Sequence, residues 1–318
     1  GAALAASFWR DYGYGAGGVF ADQEFTLITD RTSHLTGVPT NIVRFTFPQL
    51  MPEQEADASL IRRDIRLDQA AYLYKGDSGD HSGQIVMDKN KLYECTGWIK
   101  AENTGILATD FRPVLNLCQT WDVPNKDGGG TTNKYYELAN NQYFISPWSD
   151  KTEDSGDQDW TFFNVPPVAL DSICTDMGFN ELGGEIRLVS SQKNKYGDLL
   201  ASHFSFHEVV YDEMVFTANS PLLNMDQYAA VHPGATIATT VKYYSNTGNE
   251  ILPAKSVTDG SDYSITAVYS SSNPDVASID GSGVITIGTG KGAAIISATA
   301  TVGGITKTQN LTVSTASE

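Results

Sequence analysis

Between Leu92 and Lys100 the chain reads Leu-Tyr-Glu-Cys-Thr-Gly-Trp-Ile-Lys, and its side chains separate by alternation. Tyr93, Cys95 and Ile99 fall on one face, and Glu94, Thr96, Trp98 and Lys100 fall on the other. A period of two marks a half-buried strand, because successive Cβ atoms point to opposite sides of a pleated backbone. Residues 40–47, 111–121, 160–165, 185–190 and 205–216 predict further strands. Each is rich in β-branched and aromatic residues and bounded by Gly, Asp, Asn or Pro. Helical spacing is scarce, and only 53–60 suggests a short turn of helix. Strands separated by turns, without helices alternating between them, predict an all-β chain of packed antiparallel sheets.

The pattern changes near residue 220. All five tryptophans (Trp9, Trp98, Trp121, Trp148 and Trp160) and all three cysteines lie before it. Beyond it Ser, Thr, Gly, Ala and Val dominate. The 318 residues suit about two domains, and the expected division is 1–218 and 225–318. Residues 218–224, Ala-Asn-Ser-Pro-Leu-Leu-Asn, are read as the connection, with Pro221 marking a turn.

Charge narrows the functional classes. Acidic residues number 38 against 21 basic ones, a net charge of −17, and no basic cluster interrupts the excess. Nucleic acid and anionic membrane surfaces both require a basic face, so neither is an expected partner. The uncharged stretches near the end are too short to cross a bilayer, so membrane insertion is not expected either. Cys95, Cys118 and Cys174 show no metal-ligand spacing, and they are expected as buried free thiols. The opening Gly1-Ala-Ala-Leu-Ala-Ala-Ser is too short for a signal peptide and lacks a basic start, which leaves the compartment open.

In the C-terminal region, Ser-Ser-Asn-Pro-Asp-Val-Ala-Ser-Ile-Asp (271–280) is followed by Gly-Ser-Gly-Val-Ile (281–285) and then Gly-Lys-Gly-Ala-Ala-Ile-Ile-Ser-Ala (290–298). Leu-Thr-Val (311–313) closes the series. Asp280-Gly-Ser-Gly283 is predicted to make a hairpin loop. These motifs, in this order, resemble the group 2 bacterial immunoglobulin-like domain. The resemblance implies a small β-sandwich used as a spacer or adhesion module on bacterial surface proteins, secreted enzymes and phage virions.

The first region carries Tyr93-Glu-Cys-Thr-Gly-Trp-Ile-Lys-Ala, then Val114-Leu-Asn-Leu-Cys-Gln, Thr132-Asn-Lys-Tyr-Tyr-Glu-Leu and Asp159-Trp-Thr-Phe-Phe. It ends in Val210-Tyr-Asp-Glu-Met-Val-Phe216. This series is similar to the jelly-roll, galactose-binding-like carbohydrate-binding modules. Glu213 and Met214 depart from the usual closing Asp-Asp-Val, and the usual opening Asn-Pro-Gly-Phe-Glu is missing. Such modules bind glycans by stacking the C–H face of a sugar on an aromatic ring while polar side chains at the rim take the hydroxyls. Trp98, on the polar side of its strand, is expected either as the platform or packed under a loop. Arg44, which interrupts an apolar alternation, is the expected hydroxyl ligand, with Gln119, Tyr143 and Arg187 as weaker candidates. Trp121 and Trp148 lie in loop-like segments, where each is expected either to contact a partner or to fold back as a lid. Trp160 matches the packing tryptophan of the modules and is expected in the core. The resemblance also implies a structural Ca²⁺ at Asp212, to which Asp22, Glu24 and Asp30 could contribute oxygens.

Catalytic signatures are weak. His203 and His207 share a strand face with Ser205, but no His-Glu-x-x-His, Gly-x-Ser-x-Gly or phosphate loop occurs. A glycosidase needs two carboxylates about 5–9.5 Å apart, and no pair stands out among the acidic residues. The expectation is therefore a non-catalytic, extracellular or cell-surface glycan-binding or adhesion protein, free-standing or ancillary to a larger secreted enzyme or surface protein. The alternative is a virion component, a capsid decoration or tail protein, that meets other virion proteins through the same modules.

Overall fold

The computed structural model describes residues 9–11, 24–47, 49, 52, 67–69, 85–107, 109, 112–119, 123–124, 131–132, 135–137, 146–177, 182–189, 196–219, 232–255 and 261–315. The chain divides into two units. The first comprises Gly1–Asp88, Glu94–Val165 and Asp176–His207; the second comprises Lys89–Tyr93, Pro166–Thr175 and Glu208–Glu318. Apart from one short parallel pair in the second, Val168–Ala169 with Leu252–Pro253, both are built of antiparallel sheets, and the chain is all-β in class, a sandwich architecture, as the alternation predicts.

In the first unit, Glu24–Thr32 (β1), Pro39–Phe47 (β2), Leu92–Ile106 (β3), Gln158–Val165 (β4) and Tyr196–Val209 (β5) form a five-stranded sheet. Its order is β4-β3-β5-β2-β1. A second sheet runs Trp9–Asp11, Leu67–Gln69, Leu182–Val189, Arg112–Gln119 and Tyr135–Glu137, with Ile85–Met87 also paired to Leu182–Val189. Along β3, Cys95, Gly97, Ile99 and Ala101 are buried while Thr96, Trp98, Lys100 and Glu102 are half-buried. One face thus packs into the core, beside Phe163 and Val165 of β4 and Leu199 and Ala201 of β5, and the other opens outward. The predicted alternation holds from Cys95 to Ala101 and fails before it. Glu94, expected on the polar face, is 2% exposed, and Leu92 belongs to the core of the second unit. The chain passes from one unit to the other between Tyr93 and Glu94, so neighbouring residues answer to different cores.

In the second unit, one sheet joins Tyr211–Ala218 (β6), Thr236–Ser245 (β7), Ala277–Ile279 (β9) and Val284–Ile287 (β10) in the order β6-β7-β10-β9. The other joins Ala267–Ser271 (β8), Gly292–Val302 (β11) and Ile305–Thr315 (β12) in the order β8-β11-β12. Every second residue of β11 from Ala294 to Val302 is buried, and these pack with Met214, Phe216, Ile237, Tyr243, Ile285 and Val313. Each fully buried Val, Ile, Phe or Met side chain among them contributes about 1.5–3 kcal/mol of transfer free energy. The predicted hairpin at 280–283 is present. Asp280 Oδ1 accepts from the amides of Ser282 and Val284, each at 2.9 Å, and Gly283 takes φ +77°, a region that a Cβ disfavours.

The expected domain boundary needs correction. Residues 205–216 are not one strand but the end of β5 and the start of β6, separated at Val210. The Val210 amide donates to Asn246 Oδ1 and its carbonyl accepts from the Asn246 amide, each at 2.9 Å, so both of its backbone groups bond outside a ladder. β6 then pairs with β7 and buries Tyr211, Met214, Phe216 and Ala218 in the second core. The aromatic content of this strand drew it toward the first domain in the sequence; its pairing places it in the second. The suggested helical turn at 53–60 and the expected connection at 220–224 lie outside the described residues.

Candidate functional site

The open face of β3 carries the chemistry. A register shift in β4 between Gln158 and Thr161 leaves Phe162 directly opposite Trp98. An extra residue of this kind bends a strand and re-aims its side chains. Trp98 and Phe162 lie with ring centroids 5.3 Å apart and planes tilted by 57°, within the ordinary range for an aromatic pair. Phe162 is 49% exposed, a large apolar side chain held on the surface. Trp160 lies on the same side of β4, two residues away and half-buried.

A hairpin turn folds over this face. Ser33, between β1 and β2, accepts at Oγ from the amides of Leu35 and Thr36, at 3.1 and 3.2 Å. Its Oγ also bonds His203 Nε2 of β5 at 2.8 Å. Ser33 is 3% exposed, and two backbone amides occupy its lone pairs, so it anchors a turn rather than presenting a nucleophile. His203 has φ +51°, uncommon without glycine, which interrupts the alternation of β5 where the turn docks.

The anchored turn places His34 over the aromatic rings. Its imidazole stacks on Trp160 at 4.5 Å with planes 11° apart, meets Trp98 edge-on at 4.7 Å, and lies 5.7 Å from His203. Burial holds its pKa below the ordinary 6.5; His203 and Lys100 reinforce the shift, and Asp159 opposes it. Beside the rings, Lys100 Nζ bonds Glu102 Oε1 at 3.0 Å and approaches Asp159 Oδ1 at 3.8 Å. The cation is answered by two carboxylates, and the Asp159 side chain is 90% exposed.

Of the residues singled out from sequence, Trp98 stands at the centre of this face. Arg44 lies on β2, two strands away from β3, half-buried, with Nε buried and without a hydrogen-bond partner among the described residues. Gln119 and Arg187 lie on strands of the other sheet, Arg112–Gln119 and Leu182–Val189. Trp121 and Tyr143 lie outside the described residues. Trp160 is not core: it forms part of the open face, on the same side of β4 as Phe162. Trp148, weighed as a partner contact, instead folds back. It is 1% exposed, and its Nε1 donates to Thr161 Oγ1 at 3.2 Å. Phe162 and His34 were missed. The Trp-Thr-Phe-Phe alternation does place Trp160 and Phe162 opposite Phe163, but nothing local to His34 signals where its turn docks.

The expected calcium ligands divide between the units. Glu24 and Asp30 lie on β1 of the first unit, Asp212 lies on β6 of the second, and Asp22 is outside the described residues. Asp212 sits at a register shift between Tyr211 and Glu213, is 66% exposed, and faces Lys307 Nζ at 3.8 Å. Among the described residues no group of three or more His, Cys, Asp or Glu side chains could hold a metal ion. Cys95 and Cys174 are free and fully buried, and burial pushes both thiols up to about 12, so they are unreactive packing groups. The side chain of Cys118 is outside the described set.

Neither a family model nor a curated protein matches the chain. Among solved structures, similarity is found to an arabinose-bound α-L-arabinofuranosidase, MgGH51, at a TM-score of 0.30 and 10% identity. The alignment covers 65% of this chain and 24% of that enzyme, and a likeness at this level carries no argument about fold or activity.

Proposed function

We propose that the chain is a non-catalytic glycan-binding protein that acts outside the cell, with the first unit recognising sugar and the second serving as a spacer or adhesion module. The observation that carries this reading is the Trp98–Phe162 pair, two aromatic rings on neighbouring strands facing away from the core. A solvent-facing aromatic pair lowers solubility unless something covers it, and the C–H face of a sugar ring is a suitable cover. Thr96, Lys100 and Glu102 on β3 and Asp159 on β4 supply polar groups beside the rings that could take sugar hydroxyls. The likeness of the first region to jelly-roll carbohydrate-binding modules supports the same reading. So does the excess of 38 acidic over 21 basic residues, which disfavours nucleic acid as the ligand.

A glycan array probed with the full chain tests it. At least one glycan should be retained, and Trp98→Ala should abolish that retention. A melting transition that stays within a few degrees would show that the ring works at the surface, since truncating a fully buried Trp costs about 3–5 kcal/mol. Retention unchanged by the substitution would refute the assignment.

A further inference from the structure

His34 holds an unusual place for a turn residue. Its ring lies parallel to Trp160 at stacking distance and edge-on to Trp98, on the face proposed above to receive a sugar. An imidazole laid flat on an indole covers the area that one sugar ring needs for its own C–H stack. The turn that carries it also exposes Leu35 (50%) and Val38 (56%), apolar side chains that nothing in the first core has taken in. The hold on this turn comes from Ser33, through its two amide bonds and its bond to His203, and not from His34 itself. The ring can therefore leave Trp160 by side-chain rotation while the anchor stays in place.

The charges around the ring restrict what can replace it. Lys100 is engaged by Glu102 at 3.0 Å and Asp159 at 3.8 Å, and Asp159 projects into solvent. Among the described residues beside the rings, one cation stands against two carboxylates, which disfavours a carboxylated or sulfated sugar, while hydroxyls find acceptors in the same carboxylates.

We infer that His34 occupies a sugar-stacking position on Trp160, and that the natural ligand is a glycan without anionic groups whose ring displaces the imidazole. This inference rests on the glycan-binding reading of the same face. Removing the imidazole then strengthens binding, because the ligand no longer competes with a ring already in place.

Affinity electrophoresis of the full chain tests it, in gels containing neutral polysaccharides (xylan, galactomannan, xyloglucan) or anionic ones (polygalacturonate, alginate). The wild type should be retarded by at least one neutral polymer and by neither anionic one. His34→Ala should bind that polymer more tightly, by about 2- to 10-fold, the range that one aromatic stack supplies. Because His34 is exposed the variant should fold, and Phe162→Ser, at an exposed position, should lose binding in both backgrounds. Weaker binding by His34→Ala would make the imidazole a wall of the site and overturn the displacement. Retardation by polygalacturonate or alginate would overturn the charge restriction. No retardation of wild type or His34→Ala by any polymer would overturn the glycan reading itself, and this inference with it.

Discussion

At the scale of single residues, the imidazole of His34 links the geometry of the face to pH. Burial, His203 and Lys100 hold its folded pKa below 6.5, and Asp159 opposes them without reversing the direction. Above 6.5 the ring is neutral in folded and unfolded chains alike, so it contributes no pH dependence there. As pH falls below 6.5 the unfolded chain takes up the proton first, and the contribution of the neutral ring to stability is lost through the window down to the lowered folded pKa. Melting temperatures of wild type and His34→Gln, compared between pH 7.5 and 5, should therefore diverge, with the wild type losing more on acidification. Parallel curves would show that His34 does not titrate in this contact. The fates of Trp98, Trp148 and Trp160 show what single residues disclose. Alternation within β3 was enough to turn Trp98 outward. Trp160 was misplaced because the family resemblance was followed over the alternation of its own strand, which sets it with Phe162 opposite the buried Phe163. Trp148 sits among Ser, Pro and Asp, which read as an exposed loop, yet its indole is buried under the sheet and bonds Thr161.

At the scale of elements, pairing decides what composition cannot. β6 holds Tyr211 and Phe216 and sits before the serine- and threonine-rich region, so the sequence assigned it to the first domain. Its buried side chains nevertheless complete the second core. The bulge between Tyr211 and Glu213 explains why Asp212 and Glu213 are both exposed while Tyr211 and Met214 are both buried. A fragment covering 208–318, which keeps this core except Leu92 and Ala169, should consequently unfold cooperatively on heating. A fragment covering 225–318, stripped of Tyr211, Met214, Phe216 and Ala218, should not, because each large core truncation costs about 2–5 kcal/mol and a small domain has only about 5–15 kcal/mol in total. Differential scanning calorimetry distinguishes the two, and a cooperative transition from the shorter fragment would return β6 to the first unit. Hairpins were the most legible elements, since Asp280 and Gly283 specify the loop through their own backbone requirements. Docking of the Ser33–Val38 turn against His203 was the least legible, because it joins residues far apart in sequence through a hydroxyl and a ring nitrogen.

At the scale of the whole molecule, a net charge of −17 and an outward aromatic face both favour the proposed uncharged glycan. An acidic surface discourages polyanions over distances of about a Debye length, roughly 8–10 Å in physiological salt, while leaving uncharged polymers unaffected. Recognition then depends on ring stacking and hydroxyl bonds, and should be nearly insensitive to salt. The central claim is that Trp98 and Phe162 bind sugar as surface rings. The measurement closest to it is isothermal titration of the full chain, wild type and Phe162→Ala, with an oligosaccharide of the glycan that the wild type retains. Phe162 is half exposed, so the substitution should move the melting temperature little while weakening binding by about 10-fold or more, the scale of a lost anchor contact of roughly 1.4 kcal/mol or greater. Equal affinity in the two proteins, at matched stability, would contradict the account.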